Sequence, residues 1–371
     1  MKLKIVKLKI SKMVRVTDRA WLIEYKKGKN VVQKWLPKSQ CTISNDNITI
    51  FFATGMHRGH TPEEKEKLVG TQIFNKIKII DHDAHNIKNH DFLGKTRRGT
   101  EVFLNKKVLS NDLIIGIANI DIHYFAGYSG GAKSLLPGVA AFKSIQQNHS
   151  LMLLYGSEPG IANGNPVRED LEEASKKTNF KFIVNVILND KKEIVKVVAG
   201  DCIKAHRFAI AVNDVMYKRP IKEKADIVVA TAGGLPKDIN FYQAQKGLDN
   251  AAYAVNEGGT IIFLAECIEG MGDKTFNQWL SEASCPDEVI ERLQRRFILG
   301  GHKAYAIAKL VKKAEIIIVS KLSRDLVEKS FMKPAKSIEE ALNEAFATHG
   351  NNSSVILMPY AGSTLPFLKK Y

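Results

Sequence analysis

Four cysteines in 371 residues, none of them in a CxxC pair, argue against both a disulfide framework and a cysteine zinc site. Long apolar runs are also missing: IIGIANI and AEIIIVS are far shorter than the roughly 20 residues that a membrane-spanning helix needs. The opening MKLKIVKLKISKMVRV alternates Lys with Leu, Ile and Val. That pattern predicts a strand with one solvated face and lacks the continuous apolar centre of a signal peptide. A soluble, cytoplasmic protein is expected, with no membrane partner. There is no internal repeat and no low-complexity tract. A net charge of +16 invites a nucleic-acid partner, but the Lys and Arg residues form no concentrated tract and no recognised binding motif, so none is expected. Dispersed positive charge more simply draws in small anions such as carboxylates and phosphates.

What is present is enough chain for two α/β domains, with 44% hydrophobic residues to build a core in each. NITIFFA reads as a buried strand, followed by a helix that begins with a capping box of Thr61 and Glu64 and with Pro62 in its first turn. The loop ATGMHRGH lies between them. The strand NKIKIID leads into HDAHNIKNHD, and DLIIGIANID into HYFAGYSGGAKSLLPG, so histidines follow the end of a strand each time. Ligands of open parallel sheets bind beyond those carboxyl ends. KFIVNVILND and KEIVKVVAGD predict a strand pair, with a helix from Cys202 to Met216. YKRPIKEKA is the expected linker. A second unit then runs through the strand ADIVVATAGG, a helix over QKGLDNAAYAVNEGG and the strand TIIFLAE, and continues with DEVIERLQRR and SIEEALNEAFATHG as helices and AEIIIVS and SVILMPY as strands. The expected division is 1–222 and 223–371, both α/β with mainly parallel sheets, the last segment able to pack back on the first domain and the site in the interdomain cleft. Residues 1–46 receive no assignment.

The stretch Ala126–Gly138 carries small residues that let backbone N–H groups approach an anion, with Lys133 placed to meet the same ligand. Gly127 to Gly131 also matches the G-x-S-x-G elbow, in which Ser129 would attack an acyl carbon, although Pro137 interrupts the helix that such an elbow requires. A plain structural loop is the bland alternative.

A third reading rests on likeness. The pattern H-x-x-A-G-x-S-G-G-x-K-x-x-x-P-G from His123 to Gly138, with His149 further on, resembles the signature of the lactate racemase catalytic subunit family. Other stretches agree with that family in order along the chain: TGMHRGHTPEE at Thr54–Glu64, His82-Asp83, GNPVRED at Gly164–Asp170, AGGLPKDINFYQAQKGLDNA at Ala232–Ala251 and STLP at Ser363–Pro366. The resemblance implies a nickel-pincer nucleotide, derived from nicotinic acid and tethered covalently to Lys133, with His149 as the nickel ligand and Ser129, Gly130 and Gly131 lining the cofactor. Imidazole suits such a metal, and a lysine amine can make the link. It further implies inversion of a 2-hydroxy acid by reversible hydride transfer, with His57 and His123 as the two bases, since neutral imidazole suits proton exchange near neutral pH. Gln243 and Lys246 would hold the substrate carboxylate, with Tyr242 beside them. Enzymes that build the cofactor are implied as partners.

The family's upstream D-x-T-R arginine has no exact counterpart: Val16-Thr17-Asp18-Arg19 places Asp and Arg side by side, and Arg19 is the candidate substitute. Two other classes stay open at this point. One is a metallohydrolase assembled from His57, His60, His82, Asp83, His85 and His123. The other is a non-catalytic member of the same family.

Overall fold

The computed structural model describes residues 48–369 except 190 and 299, together with the backbone of three strands, Ile10–Val16, Ala20–Lys27 and Asn30–Pro37. Those three form an antiparallel sheet, and Arg19 lies outside the described residues. Two larger sheets organise the rest. In the first, the β-branched strands Ile114–Ile120 and Phe180–Leu188 run parallel, and Ile194–Asp201 returns antiparallel to the second of them. Its core packs Leu104, Ile120, Leu136, Ile145, Leu171, Phe180 and Ile183, each almost wholly removed from water. Nearby, Thr49–Phe52 and Lys78–Asp81 pair in parallel, joined through the helix Pro62–Val69. Thr61 accepts from the Glu64 N–H, and the Glu64 carboxylate accepts from the Thr61 N–H, so the expected capping box is present.

The second sheet has five parallel strands in the spatial order Lys333–Ala335, Glu315–Val319, Val255–Leu264, Ala225–Thr231, Val355–Met358. Near-continuous apolar runs such as IIIV and IIFL fit a parallel sheet covered on both faces. The strand order reverses at Ala225–Thr231, with the sheet growing one way to Val255–Leu264 and the other way to Val355–Met358. The crevice beyond the carboxyl end of that strand is the usual ligand position of an open α/β sheet. The architecture is therefore α/β with mainly parallel sheets, as the sequence predicts.

Three local expectations need correction. The expected linker YKRPIKEKA contains a strand, Lys218–Ile221, which pairs in parallel with Leu365–Leu368 at the far end of the chain. The expected helix over QKGLDNAAYAVNEGG starts earlier, at Phe241, and ends at Ala251, and Val255–Leu264 is one long strand. Asn240 fixes the start by accepting the Gln243 N–H, and Val255 enters the sheet opposite Ala225. The helices Lys274–Glu282 and Gly301–Lys313 were not anticipated; the second is rich in Ala and Lys and is held by burial of His302, Lys303, Ala304, Ile307 and Ala308. Among the described residues no helix is long and apolar enough to cross a membrane, and none of the three described cysteines is in a disulfide.

Candidate active site

The strand Ile114–Ile120 ends in a turn that folds back on itself: Ile122-His123 pairs with Gly127-Tyr128 as a two-residue antiparallel ladder. A short 3-10 segment, Gly131–Ser134, then carries Lys133. Gly130 and Gly131 both take positive φ, 68° and 60°, and a Cβ on Gly131 would lie 2.7 Å from the buried His206 ring. Glycine is therefore required here by the protein's own packing.

Almost every polar group of this loop has a protein partner. Arg168, fully buried in the helix Pro166–Lys176, donates to the carbonyls of Ala126 and Gly130 at 3.3 Å each and to that of Tyr128. Asn185 accepts the Gly131 N–H at 3.0 Å, and His206 Nε2 donates to the Ser129 carbonyl at 2.9 Å. The Ser129 hydroxyl donates to the Asn119 carbonyl at 2.9 Å and accepts the Asp121 N–H at 2.8 Å. It is thus a backbone clasp with no imidazole bonded to it, and the segment that follows is 3-10, not the α-helix of a nucleophile elbow. The serine hydrolase alternative has no support in this geometry.

Lys133, by contrast, has no hydrogen bond or ion pair to its Nζ among the described residues. Burial, reinforced by the charges of Arg168 and Lys246, lowers its pKa well below the ordinary ammonium value. A half-buried amine without a counter-ion is a nucleophile in waiting. His149 lies on the helix Phe142–Ser150, and its Nδ1 is buried without a hydrogen-bond partner. Burial first, then Lys133 and His302, holds its ring neutral. The adjacent Asn148 anchors the helix by donating to Asp170 at 2.8 Å, and Asp170 also accepts from Thr96.

Phe125 connects the imidazoles, its ring T-shaped to both His149 (5.0 Å) and His123 (4.6 Å). His123 stacks on Tyr124 at 5.1 Å, and Tyr124 faces His302 at 6.0 Å. His123 is also held neutral, by burial and then by Lys133 and His149. From the five-stranded sheet, the first two turns of the helix Phe241–Ala251 present Tyr242, Gln243 and Lys246, the last donating to Gln243 Oε1 at 3.1 Å. The charge of Lys246 is felt at both His123 and Lys133, so the two sides face one cleft. A small cavity of about 40 Å³ is lined by none of these side chains, but by Asp121 and Lys192 from one side and by Lys237, Gly362 and Ser363 at the switch point of the other.

His57 sits apart from this group. It is exposed, on a turn closed by its N–H to the Thr54 carbonyl, and the turn is attached to the Lys133 loop through the Gly55 N–H to the Gly138 carbonyl at 3.0 Å. No ring contact or hydrogen bond joins its imidazole to His123, Lys133 or His149 among the described residues. The metallohydrolase alternative also lacks a site: among the described residues no three His, Cys, Asp or Glu side chains stand together as metal ligands. Instead His60 bonds Asp81, His82 bonds the Ala140 carbonyl, and His85 stacks on Phe142.

Sequence reasoning missed Arg168, Asn185 and His206, which build the loop, and His302 and Lys303, which face it from the second sheet. Arg168 lies inside a quoted stretch, GNPVRED, where an arginine two residues after a helix-starting proline gives no sign that it will be fully buried.

The fold and site together define a class of protein: an α/β enzyme architecture in which a buried lysine without a counter-ion and two neutral imidazoles line a cleft closed by a second parallel sheet. Comparison with known proteins narrows that class. The lactate racemase N-terminal domain model matches residues 15–160, and the lactate racemase C-terminal domain model matches 221–365. The chain is 33% identical to lactate racemase of Thermoanaerobacterium thermosaccharolyticum over 324 residues, covering 84% of this chain and 75% of that one. It is likewise 33% identical to lactate racemase of Lactiplantibacillus plantarum over 319 residues, with the same coverages. The lactate racemase apoprotein structure from T. thermosaccharolyticum superposes with a TM-score of 0.83 at 32% identity, covering 86% of this chain and 78% of that chain. A Thermotoga maritima protein of known structure shares the fold at a TM-score of 0.66 and 18% identity, each chain being 86% covered. The chain belongs to the lactate racemase family.

Proposed function

We propose that this chain racemises a small 2-hydroxy acid, lactate or a close relative, using a nickel-pincer nucleotide attached covalently to Lys133. The observation that carries the reading is the pairing of a Lys133 amine that has no counter-ion and a pKa lowered by burial with a buried His149 ring whose Nδ1 lacks a partner. Both fit the cofactor: a neutral amine can form the covalent link, and an unpartnered imidazole nitrogen can occupy one metal position while the nucleotide brings the other donors. When bound, the cofactor supplies a hydride acceptor for C2 of the substrate.

The protein's own residues then have separable tasks. His123, held neutral by burial, takes the hydroxyl proton of one enantiomer, and His57 serves the other, its exposed turn swinging toward the cleft. Lys246 and Gln243 hold the carboxylate, one as a point charge and the other as an orienting donor. Arg19 is assigned to assist them. The backbone of Ser129, Gly130 and Gly131 walls the cofactor. Water exclusion comes from Phe125, Tyr124 and Tyr242, which line the same cleft. We assign 1–222 to holding the cofactor and 223–371 to closing over the substrate, in a cytoplasmic protein dependent on enzymes that assemble the cofactor.

The test is intact mass and nickel content of protein produced alongside cofactor-building enzymes, followed by deuterium exchange at C2 of D- and L-lactate. A nickel-bearing adduct on Lys133, absent from Lys133→Ala, is the expected result. Protein that gains neither adduct nor nickel refutes the reading.

A further inference from the structure

The helix Gly301–Lys313 places a lysine at a joint that the reading above does not use. Lys303 is buried, 5% exposed, and its Nζ donates to the Tyr242 carbonyl in the first turn of the helix that carries Gln243 and Lys246. The same ammonium lies 4.0 Å from the centroid of the Tyr242 ring. Its backbone carbonyl accepts from Gln245 Nε2 at 3.0 Å, so Lys303 grips that helix at three points. Across the cleft, Nζ also faces the ring of Tyr124 at 6.0 Å, and Tyr124 is stacked on His123. One cation therefore stands between two tyrosines, each adjacent in sequence to a residue of the candidate site, and each from a different side of the cleft.

We infer that Lys303 is a positioning residue that holds the two halves of the active site in register, by clamping Tyr124 and Tyr242 on one ammonium. The geometry is that of a shared cation–π contact, which strengthens where water is excluded. No ion pair to Lys303 occurs among the described residues; burial, and then Lys246, lower its pKa to about 7, with Asp249 and Asp273 opposing at longer range. The ammonium that the two rings and the Tyr242 carbonyl hold therefore prevails below about pH 7, and the comparisons are made at pH 6. His302, next to it, adds a neutral ring against Tyr124 and Phe125, so the joint is closed by packing beside the cation. Loss of the ammonium should let the Tyr242 turn and the Tyr124 hairpin separate, displacing Gln243 and Lys246 relative to His123.

The kinetic side of this inference rests on the racemase reading, so its first test avoids activity. Small-angle X-ray scattering on the cofactor-free full chain compares the unmutated protein with Lys303→Met, Lys303→Arg, Tyr124→Leu and Tyr124→Phe. The radius of gyration should rise in Lys303→Met and Tyr124→Leu, and match the unmutated protein in Lys303→Arg, which keeps the cation, and Tyr124→Phe, which keeps the ring. If Lys303→Met fails to fold, Tyr124→Leu decides. Scattering from a folded Lys303→Met or Tyr124→Leu that superposes on the unmutated curve overturns the inference. In loaded enzyme, the KM for D-lactate should rise about tenfold in Lys303→Met, with kcat changed far less, and Lys303→Arg should recover most of it. Unchanged KM and kcat per loaded molecule, with only a lower melting temperature, would mean a purely structural lysine. If the unmutated chain itself racemises nothing, the functional reading fails while the scattering comparison still judges the clamp.

Discussion

Replacing Arg168 by Met removes the donor that gathers three carbonyls of the Lys133 loop while keeping most of the side-chain volume. The guanidinium bonds the carbonyls of Ala126, Tyr128 and Gly130. Two of these keep another donor: Ala126 also accepts the Tyr128 N–H, and Gly130 the Lys133 N–H. The dominant loss is therefore the charge-assisted bond to Tyr128, with smaller losses at the other two. No carboxylate is bonded to Arg168, because Glu172 is held in a two-pronged pair by Arg207, so removing the buried charge relieves some desolvation. The balance is a loss of about 3 kcal/mol, given that hydrogen bonds to charged groups contribute roughly 1.5–3 kcal/mol each. For a cooperative unit of this size, that corresponds to a melting temperature lower by roughly 6–12 °C, measured by circular dichroism with urea unfolding as a check. There is a chemical signature too. The charge of Arg168 helps lower the Lys133 pKa, so its removal should raise that value and slow cofactor attachment at neutral pH. A variant within about 1 kcal/mol of the unmutated protein, with attachment unaffected, would refute the claim that this arginine shapes the loop.

The remaining expectations concern the same loop. Ser129→Ala removes the clasp between Asn119 and Asp121 and should cost about 1–2 kcal/mol in urea unfolding, with the Lys133 adduct still seen by mass; loss of an esterase activity would instead revive the hydrolase reading. Because the pKa of Lys133 is lowered, its neutral form persists at pH values where an ordinary lysine, near 10.4, is protonated. Competitive acetylation of the cofactor-free protein, mapped by mass, should accordingly show Lys133 reacting at lower pH than the surface lysines, whose reaction needs pH above about 9. A Lys133 profile that follows the surface lysines would show its ammonium to be ordinary.

Much of the fold was legible because parallel-sheet strands announce themselves as short β-branched runs: IIGIANI, ADIVVAT and EIIIV all became strands. The strand Lys218–Ile221 was not, since KRPI is polar and contains proline, and its partner lies more than a hundred residues away. The Gly301–Lys313 helix was passed over although Ala304, Ile307 and Ala308 have helical spacing in a stretch of good helix formers. In the site, the stretch from His123 to His149 was readable through its glycines, its lysine and the family likeness. The residues that enforce its shape were not, because Arg168, Asn185 and His206 act through main-chain carbonyls and N–H groups that no side-chain motif records. His57 shows the reverse: a motif named it, yet its ring stands exposed and apart from the other imidazoles.

The pairing of Lys218–Ile221 with Leu365–Leu368 brings the entry to the five-stranded sheet unit and its exit side by side. That unit is therefore slung from a two-ply strap, whose plies are bonded to each other along four residues. A strap of this kind resists twist better than a single crossing strand would, because its two plies must turn together. It also makes the unit a cassette: with both ends at one point, it can be exchanged between relatives by splicing at the strap, and a tag or truncation at the last few residues would loosen both ends at once.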